Sequence, residues 1–66
     1  MAVARVTKIT SSSTSSFQDA VSEGLARAAQ TLRGVTGLEV VSQKAKVENG
    51  KIAEYRVTIE LTFILE

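Results

Sequence analysis

Cysteine and histidine are both absent from this chain of 66 residues. Without cysteine there is no disulfide, and without either residue type there is no ordinary zinc site. A chain this short has room for one small domain with little interior of its own. Because the usual cross-links of small proteins are missing, oligomerisation is the remaining route to stability. We therefore expect a single domain over residues 1–66 that is stabilised by further copies of itself.

The same two absences count against catalysis. A nucleophile paired with a base, or a metal cluster, usually requires histidine or cysteine, and the sequence singles out no lysine or carboxylate for such a role. Asp19 and Glu23 stand one helical turn apart and could form an acid–base pair, but carboxylates at a helix start are more often a solvated face. We predict no enzyme activity, no catalytic residue and no metal site.

Charge and hydropathy exclude further partners. The formal net charge is +1, from eight basic and seven acidic residues, so nothing attracts the chain to nucleic acid or to an acidic membrane. We interpret Lys44, Lys46 and Lys51 as a solvated hairpin end or as ion-pair partners rather than a phosphate contact. No apolar run approaches the ~20 residues that span a bilayer, and no signal-peptide segment is evident. The expected location is the cytoplasm.

What the sequence does contain is one very regular strand at residues 55–65. Its odd positions are all apolar, whereas its even positions are polar except for Ile64. Side chains alternate across a strand, so this period of two makes one face for a core. Its β-branched and aromatic residues favour a strand over a helix. We place this strand at the centre of the sheet.

A helix is predicted from Phe17 to Arg33. Ser16 is the expected N-cap, and Asp19 stands where a capping box needs an acceptor. Apolar residues follow at helical spacing, namely Phe17, Val21, Leu25, Ala28 and Leu32. Gly34 suits the position just past the helix C-terminus.

Three features in and near this helix lead to further expectations. Gly24 costs about 1 kcal/mol in a helix compared with alanine, so we expect a close backbone approach there.

Residues 3–10 form a weaker predicted strand. Its apolar residues do not share one parity, which predicts a bulge or partial cover on both faces. The Ser/Thr run at residues 11–16 is interpreted as a linker ending in a cap, rather than as a phosphorylation site or an anion-binding loop.

Asn49-Gly50 is the strongest local signal, because it lies between two strand-like runs and favours a two-residue type I′ turn. It joins a strand at residues 38–47 to the last strand at residues 52–66. The register that follows pairs Val40 with Ile59 and Leu38 with Leu61 on the core face. Beside the turn it pairs Glu48 with Lys51. On the other face it pairs Val47–Ile52, Ala45–Glu54, Gln43–Arg56, Val41–Thr58, Glu39–Glu60 and Gly37–Thr62. A bulge near Val40 and Val41 would shift the later pairs by one.

This arrangement leaves apolar surface uncovered. The helix would be ~25 Å long at 1.5 Å per residue, whereas the last strand would run ~50 Å at about 3.3 Å per residue. One helix cannot cover such a sheet, and the opposite face also carries aliphatic residues. We predict that four of them lie in interfaces between subunits: Val41, Val47, Ile52 and Ile64.

The predicted fold class is α+β with βαββ order. A three-stranded antiparallel sheet packs on one helix, and the last strand lies between the first and the second. A long sheet with two open edges favours assembly into a closed, hollow homo-oligomer. In this register Glu39 opposite Glu60 is repulsive, which a bound cation at a symmetry axis would relieve; a neighbour's arginine or plain exposure is the preferred interpretation.

Nearly the whole chain resembles the dodecin family. The resemblance rests on residues 25–33 (LARAAQTLR), 38–40 (LEV), the tight hairpin, 55–58 (YRVT) and 63–66 (FILE). Dodecins are small βαββ proteins that form hollow shells of twelve subunits and bind flavins. The resemblance implies a non-enzymatic homododecamer whose partner is itself, with FMN or riboflavin as a possible ligand for storage and no required cofactor.

The family's flavin site is altered in this chain. Where dodecins typically carry a tryptophan that stacks on the flavin ring, this sequence has Gly37, and it contains no tryptophan. A glutamine that hydrogen-bonds the ring edge corresponds to Arg56, and a usual arginine near the C-terminus corresponds to Ile64. The resemblance thus implies weak or no flavin binding at a surface that includes Gly37, Gln43 and Arg56. The alternatives are a shell that binds a small anion or nucleotide, or a purely structural assembly.

Overall fold

The computed structural model describes residues 3–65, and they fold as βαββ. The elements are β1 (Val3–Ser13), α1 (Phe17–Ala29), β2 (Val35–Glu48) and β3 (Lys51–Leu65). β3 lies between β1 and β2, and both pairings are antiparallel. The predicted fold class, element order and central strand are confirmed. Glu66, which we expected to end the last strand, lies outside the described residues.

The core is small and lies between α1 and the odd-numbered side chains of β3. Its buried hydrophobic residues are Ala20, Ala28, Val57, Ile59 and Leu61. The alternation in the sequence predicted the three that come from β3. α1 packs on β1 and β3, so the helix-side residues Leu38 and Val40 of β2 remain 36% and 38% exposed. Among residues 3–65 there is no helix with the length and apolar character needed to cross a bilayer.

α1 begins where the sequence predicts and ends earlier, at Ala29 rather than Arg33. The Asp19 N–H donates to Ser16 Oγ at 2.9 Å, which confirms the N-cap. At the other end the N–H groups of Thr31 and Leu32 both donate to the Ala28 carbonyl, at 3.1 and 2.9 Å. This convergence on one carbonyl is a tightened last turn.

Gly34 is therefore not the residue that follows the helix, as the sequence suggested. It has a positive φ of 72° and lies in the link between α1 and β2. Its carbonyl accepts the Ile64 N–H at 3.1 Å, so the link is tied to the end of β3. The left-handed conformation that we expected at a helix end serves a loop instead.

Small residues form the face of α1 that meets the sheet. Ala20, Gly24 and Ala28 recur every fourth residue and are all buried. A Cβ atom at Gly24 would lie 2.7 Å from Ser11 Oγ and 3.1 Å from Ser11 Cβ, which confirms the close approach expected there. Ser11 Oγ also donates to the Ala20 carbonyl at 2.6 Å. The helix therefore lies directly against β1.

The larger apolar residues of the predicted stripe lie at the margins of this contact. Phe17, Val21 and Leu32 are partly buried against the core, and only Ala28 of the stripe is fully buried. Leu25 is exposed and points toward the uncovered side of β2, where it lines a groove with Leu38. The predicted stripe is therefore rotated about the helix axis relative to the face that is buried. The prediction placed it wrongly because small residues were not counted as core residues.

β1 is longer than predicted and includes Ser11 to Ser13. Its register with β3 is continuous, from Val3 opposite Leu65 to Ser13 opposite Tyr55, so the bulge, one of the two alternatives expected for this strand, is absent. The serine run is only partly a linker. Ser13 Oγ donates to the Asp19 carboxylate at 2.6 Å and so connects the end of β1 to the start of α1.

The hairpin forms at Asn49 and Gly50, whose φ angles are 55° and 75°. A bulge at Ala53 of β3, opposite Lys46 and Val47, then shifts the pairing by one residue. A second irregularity between Val40 and Ser42 restores the predicted register. The confirmed pairs are Glu48–Lys51, Val47–Ile52, Val40–Ile59, Glu39–Glu60, Leu38–Leu61 and Gly37–Thr62.

Three predicted pairs in the middle of the hairpin are wrong. Ala45 is opposite Tyr55 rather than Glu54, Gln43 is opposite Val57 rather than Arg56, and Val41 lies in the bulge rather than opposite Thr58. The bulge near Val40 was anticipated, but the one beside the turn has no glycine or proline to signal it.

The sheet extends well beyond the helix. The chain measures 51 × 19 × 13 Å, and the 13-residue α1 accounts for ~20 Å of that length at 1.5 Å per residue. The hairpin end therefore has no helix over either face, as the sequence predicted.

Gly24→Ala tests the small-residue contact. In an unhindered helix this change stabilises by about 1 kcal/mol. Here the new methyl group meets Ser11, so we expect a net loss of about 1–3 kcal/mol from overpacking. Thermal unfolding of Gly24→Ala, Ser11→Ala and the double variant measures the coupling, and the double variant should recover part of the loss. A melting temperature that rises in Gly24→Ala would contradict the packing described.

Gly50→Val tests the turn. A β-branched residue at φ 75° is strained, and we expect destabilisation of about 1–2 kcal/mol or more. Gly37→Val is the matched control, because Gly37 has no positive φ and a Cβ there makes ordinary contacts of 3.6 Å or longer. Equal melting temperatures for Gly50→Val and the unmodified protein would show that the two-residue turn is wrong.

Candidate functional site

The sheet face opposite α1, here called the outer face, carries the even-numbered side chains of β3. Its central part consists of three polar cross-strand rows. From β1 through β3 to β2 they read Lys8–Glu60–Glu39, Thr10–Thr58–Ser42 and Ser12–Arg56–Lys44. This surface includes Arg56 of the predicted ligand site.

The first row explains how two glutamates are tolerated side by side. Glu60 lies opposite Glu39, as predicted, but Lys8 of β1 flanks it on the other side, with Lys8 Nζ 3.9 Å from Glu60 Oε2. The charge that relieves the repulsion thus comes from the same chain. The sequence did not reveal it, because the register of β1 was not predicted. Within residues 3–65, no three potential metal ligands cluster together.

The third row, here called the basic row, places Arg56 between Ser12 and Lys44. Like charges directly opposite each other are destabilising. Glu54 forms an ion pair with Arg56 and offsets one of the two cations. Lys46, by contrast, is opposite Glu54 and lies 3.7 Å from Glu48. Lys46 is thus an ion-pair partner, whereas Lys44 belongs to a concentration of positive charge.

The three predicted ligand residues do not come together within one subunit. Gly37 is opposite Thr62 on the outer face, and Thr62 and Arg56 are separated by ~20 Å along β3 at about 3.3 Å per residue. Gln43 is opposite Val57, in a row of the helix-side face. A single ligand that contacted both Gly37 and Arg56 would therefore need a second subunit.

Gly37 is not required by the backbone. Of the four glycines only Gly34 and Gly50 have a positive φ. A Cβ atom at Gly37 would lie 3.6 Å from Thr62 Cβ and 3.9 Å from Thr62 Oγ1, which is ordinary contact. Beside it, an open groove of about 280 Å³ is lined by Leu25, Val35, Thr36, Gly37 and Leu38. The position can hold a side chain, and none is present.

The aromatic rings of the chain all lie on the helix side of the sheet. Phe17 and Tyr55 pack edge to face, with ring centroids 4.9 Å apart and planes at 79°. Phe63 is opposite Arg5 and Val35, in a helix-side row. In residues 3–65 the outer face therefore offers no aromatic surface to a planar ligand.

The predicted interface residues remain uncovered in the single chain, except for the half-buried Ile64. Val47 and Ile52 are 62% and 51% exposed and lie opposite each other at the hairpin end. Val41 is also exposed, in its bulge. The interface role of these four residues stays a prediction.

Comparison with known families gives the assignment. The dodecin family model matches residues 3–66. The chain belongs to the dodecin family. The resemblance noted in the sequence is confirmed, and it places the chain among proteins that self-associate into shells and are associated with flavin. No protein with a curated description matches this dodecin.

Solved dodecins share its fold. Dodecin from Streptomyces coelicolor is 34% identical, with 98% of this chain and 93% of that chain covered and a TM-score of 0.93. A variant of the Thermus thermophilus dodecin is 29% identical, with 100% and 98% covered and a TM-score of 0.94. The calcium dodecin of Mycobacterium tuberculosis, described as calcium-chelating with a novel calcium-binding site, is 29% identical, with 97% and 91% covered and a TM-score of 0.83.

Val47→Glu tests the role of the hairpin end in assembly. Burying an unpaired charge is costly, so we expect this variant to lose both the oligomer and the folded state. Ser22→Glu is the matched control, because it adds the same charge at an exposed position of α1. Analytical ultracentrifugation and circular dichroism provide the measurement. An intact oligomer in Val47→Glu would remove the hairpin end from the interface.

Proposed function

We propose that this dodecin forms a non-enzymatic, cytoplasmic shell of twelve copies whose flavin site has lost its stacking surface. The observation that carries the proposal is Gly37, which presents no side chain at the position where the family typically has tryptophan. No ring elsewhere on the described outer face substitutes for it, because Phe17, Tyr55 and Phe63 all lie on the helix side.

The second difference from the family is Arg56, which replaces the glutamine that hydrogen-bonds the edge of the flavin ring. A flavin edge both donates and accepts hydrogen bonds, and a glutamine amide can match it, whereas a guanidinium only donates. Arg56 is also engaged by Glu54 and stands opposite Lys44. Losing one stacked aromatic ring forfeits ~1–3 kcal/mol, judged from base stacking, and that alone weakens binding by about fivefold to 150-fold. The unmodified protein is therefore expected to purify colourless.

Restoring the family residues tests the proposal. Gly37→Trp together with Arg56→Gln should bring back flavin binding, seen as quenching of flavin fluorescence on titration. The space around a Cβ at Gly37 accommodates the first change. Gly37→Leu with Arg56→Gln is the matched control, because it adds an apolar side chain without a flat ring. Tight flavin binding by the unmodified protein, or no binding by the double variant in an intact oligomer, would contradict the proposal.

The basic row favours a second candidate function, the binding of a small anion or nucleotide. Arg56 and Lys44 face each other with Ser12 alongside, and the next row adds the hydroxyls of Thr10 and Thr58, 3.1 Å apart. A guanidinium, an ammonium and hydroxyl donors on one flat surface suit a phosphate or carboxylate group. An anion there would also remove the repulsion between the two cations.

Lys44→Ser tests this second candidate. Removing one charge-assisted hydrogen bond costs ~1.5–3 kcal/mol, so we expect the affinity for a nucleoside monophosphate to fall by about tenfold to a hundredfold. Lys46→Ser is the matched control, since it lies on the same strand but is paired with glutamates. Isothermal titration calorimetry at low salt gives both affinities. Equal losses in the two variants would indicate general charge attraction rather than a site.

A further inference from the structure

Asn49 is the only asparagine of the chain and occupies the tip of the hairpin, directly before Gly50. Both residues are exposed. A Cβ atom built at Gly50 would have nothing within 4 Å, so the backbone beside the asparagine amide is open to water. Neither of the proposed ligand-binding surfaces includes the tip of the hairpin.

The Asn49 side chain and the Gly50 backbone nitrogen can react with each other. The Gly50 backbone nitrogen can attack Cγ of Asn49, which forms a Cγ–N bond and closes a five-membered succinimide ring. The Cγ–Nδ2 bond breaks, the Gly50 nitrogen gives up its proton, and ammonia leaves. Water then adds to one of the two ring carbonyls and opens the ring to aspartate or isoaspartate. Water is the only other reactant.

We propose that Asn49 is a site of spontaneous deamidation and that its isoaspartate product opens the hairpin end. Glycine allows the ring to close because it has no side chain to hinder its nitrogen. Gln18, Gln30 and Gln43 would require a larger ring, which forms more slowly, so the reaction is confined to one position.

The structural consequence follows from the turn. Isoaspartate transfers the side-chain methylene into the backbone, so the connection between Glu48 and Lys51 becomes longer by one carbon. A two-residue turn fixes the register of the pairs beside it, and the lengthened tip no longer matches that geometry. The first pairs to be lost are Glu48–Lys51 and Val47–Ile52. The exposed apolar side chains at this end are thereby displaced.

Peptide mapping of the purified, assembled protein tests the proposal. Samples aged at mildly acidic and mildly alkaline pH are digested, and aspartate, isoaspartate and intact asparagine are separated by chromatography with mass spectrometry. We expect conversion at Asn49 alone, faster at alkaline pH because the Gly50 nitrogen must lose its proton. The isoaspartate fraction should show a lowered melting temperature.

Two variants and one condition make the test decisive. Asn49→Gln should show no conversion, and freshly purified Asn49→Asp, measured before ageing, should keep a normal melting temperature, because it adds the charge without lengthening the backbone. The unmodified chain in denaturant supplies the reference rate. Asn49 that stays intact in the assembled protein while it converts in denaturant would overturn the proposal, as would isoaspartate that leaves the melting temperature unchanged.

Discussion

A short helix on a long sheet is the constraint on which the rest of this structure depends. α1 has 13 residues and β3 has 15, and a strand residue advances about twice as far as a helix residue. Contact is therefore limited to one end of the sheet, where Ala20, Gly24 and Ala28 lie against it. Only a few side chains are buried there, which is a meagre core for a domain of this size. We expect further copies of the chain to cover the remaining apolar surface.

The same constraint shapes the candidate site. Because no helix covers the outer face, its polar rows and the Gly37 region are both accessible in one chain, yet they lie far apart along β3. One ligand could contact both regions only if two subunits contributed to its site. Charge then distinguishes the two surfaces. The groove beside Gly37 is lined mainly by aliphatic side chains from the helix side of the sheet, whereas Arg56 and Lys44 concentrate positive charge on the outer face.

Much of the fold could be predicted from local patterns. The alternation in residues 55–65 identified the central strand and its buried face, and Asn49-Gly50 identified the turn. The middle of the hairpin could not be predicted, because the bulge at Ala53, opposite Lys46 and Val47, has no sequence signal. That one shift moved Gln43 to the helix-side face and put Lys44 opposite Arg56. The basic row, the most distinctive part of the site, was missed for this reason.

Other misses have a similar origin in tertiary contacts. Lys8 beside Glu60 required the register of β1, whose polar and small residues give a weak pattern. Ala20 and Gly24 form the buried face of α1, although a search for large apolar residues passes over them. In both cases the local sequence has only a weak structural preference, and contacts with the neighbouring element determine which residues pair or become buried.

Native mass spectrometry on a dilution series tests whether the chain folds only when it associates. Far-ultraviolet circular dichroism at the same concentrations reports the folded fraction. We expect twelve chains in the folded species, with loss of structure and loss of the oligomer at the same concentration. A monomer that keeps its secondary structure after the oligomer has dissociated would show that folding does not depend on association.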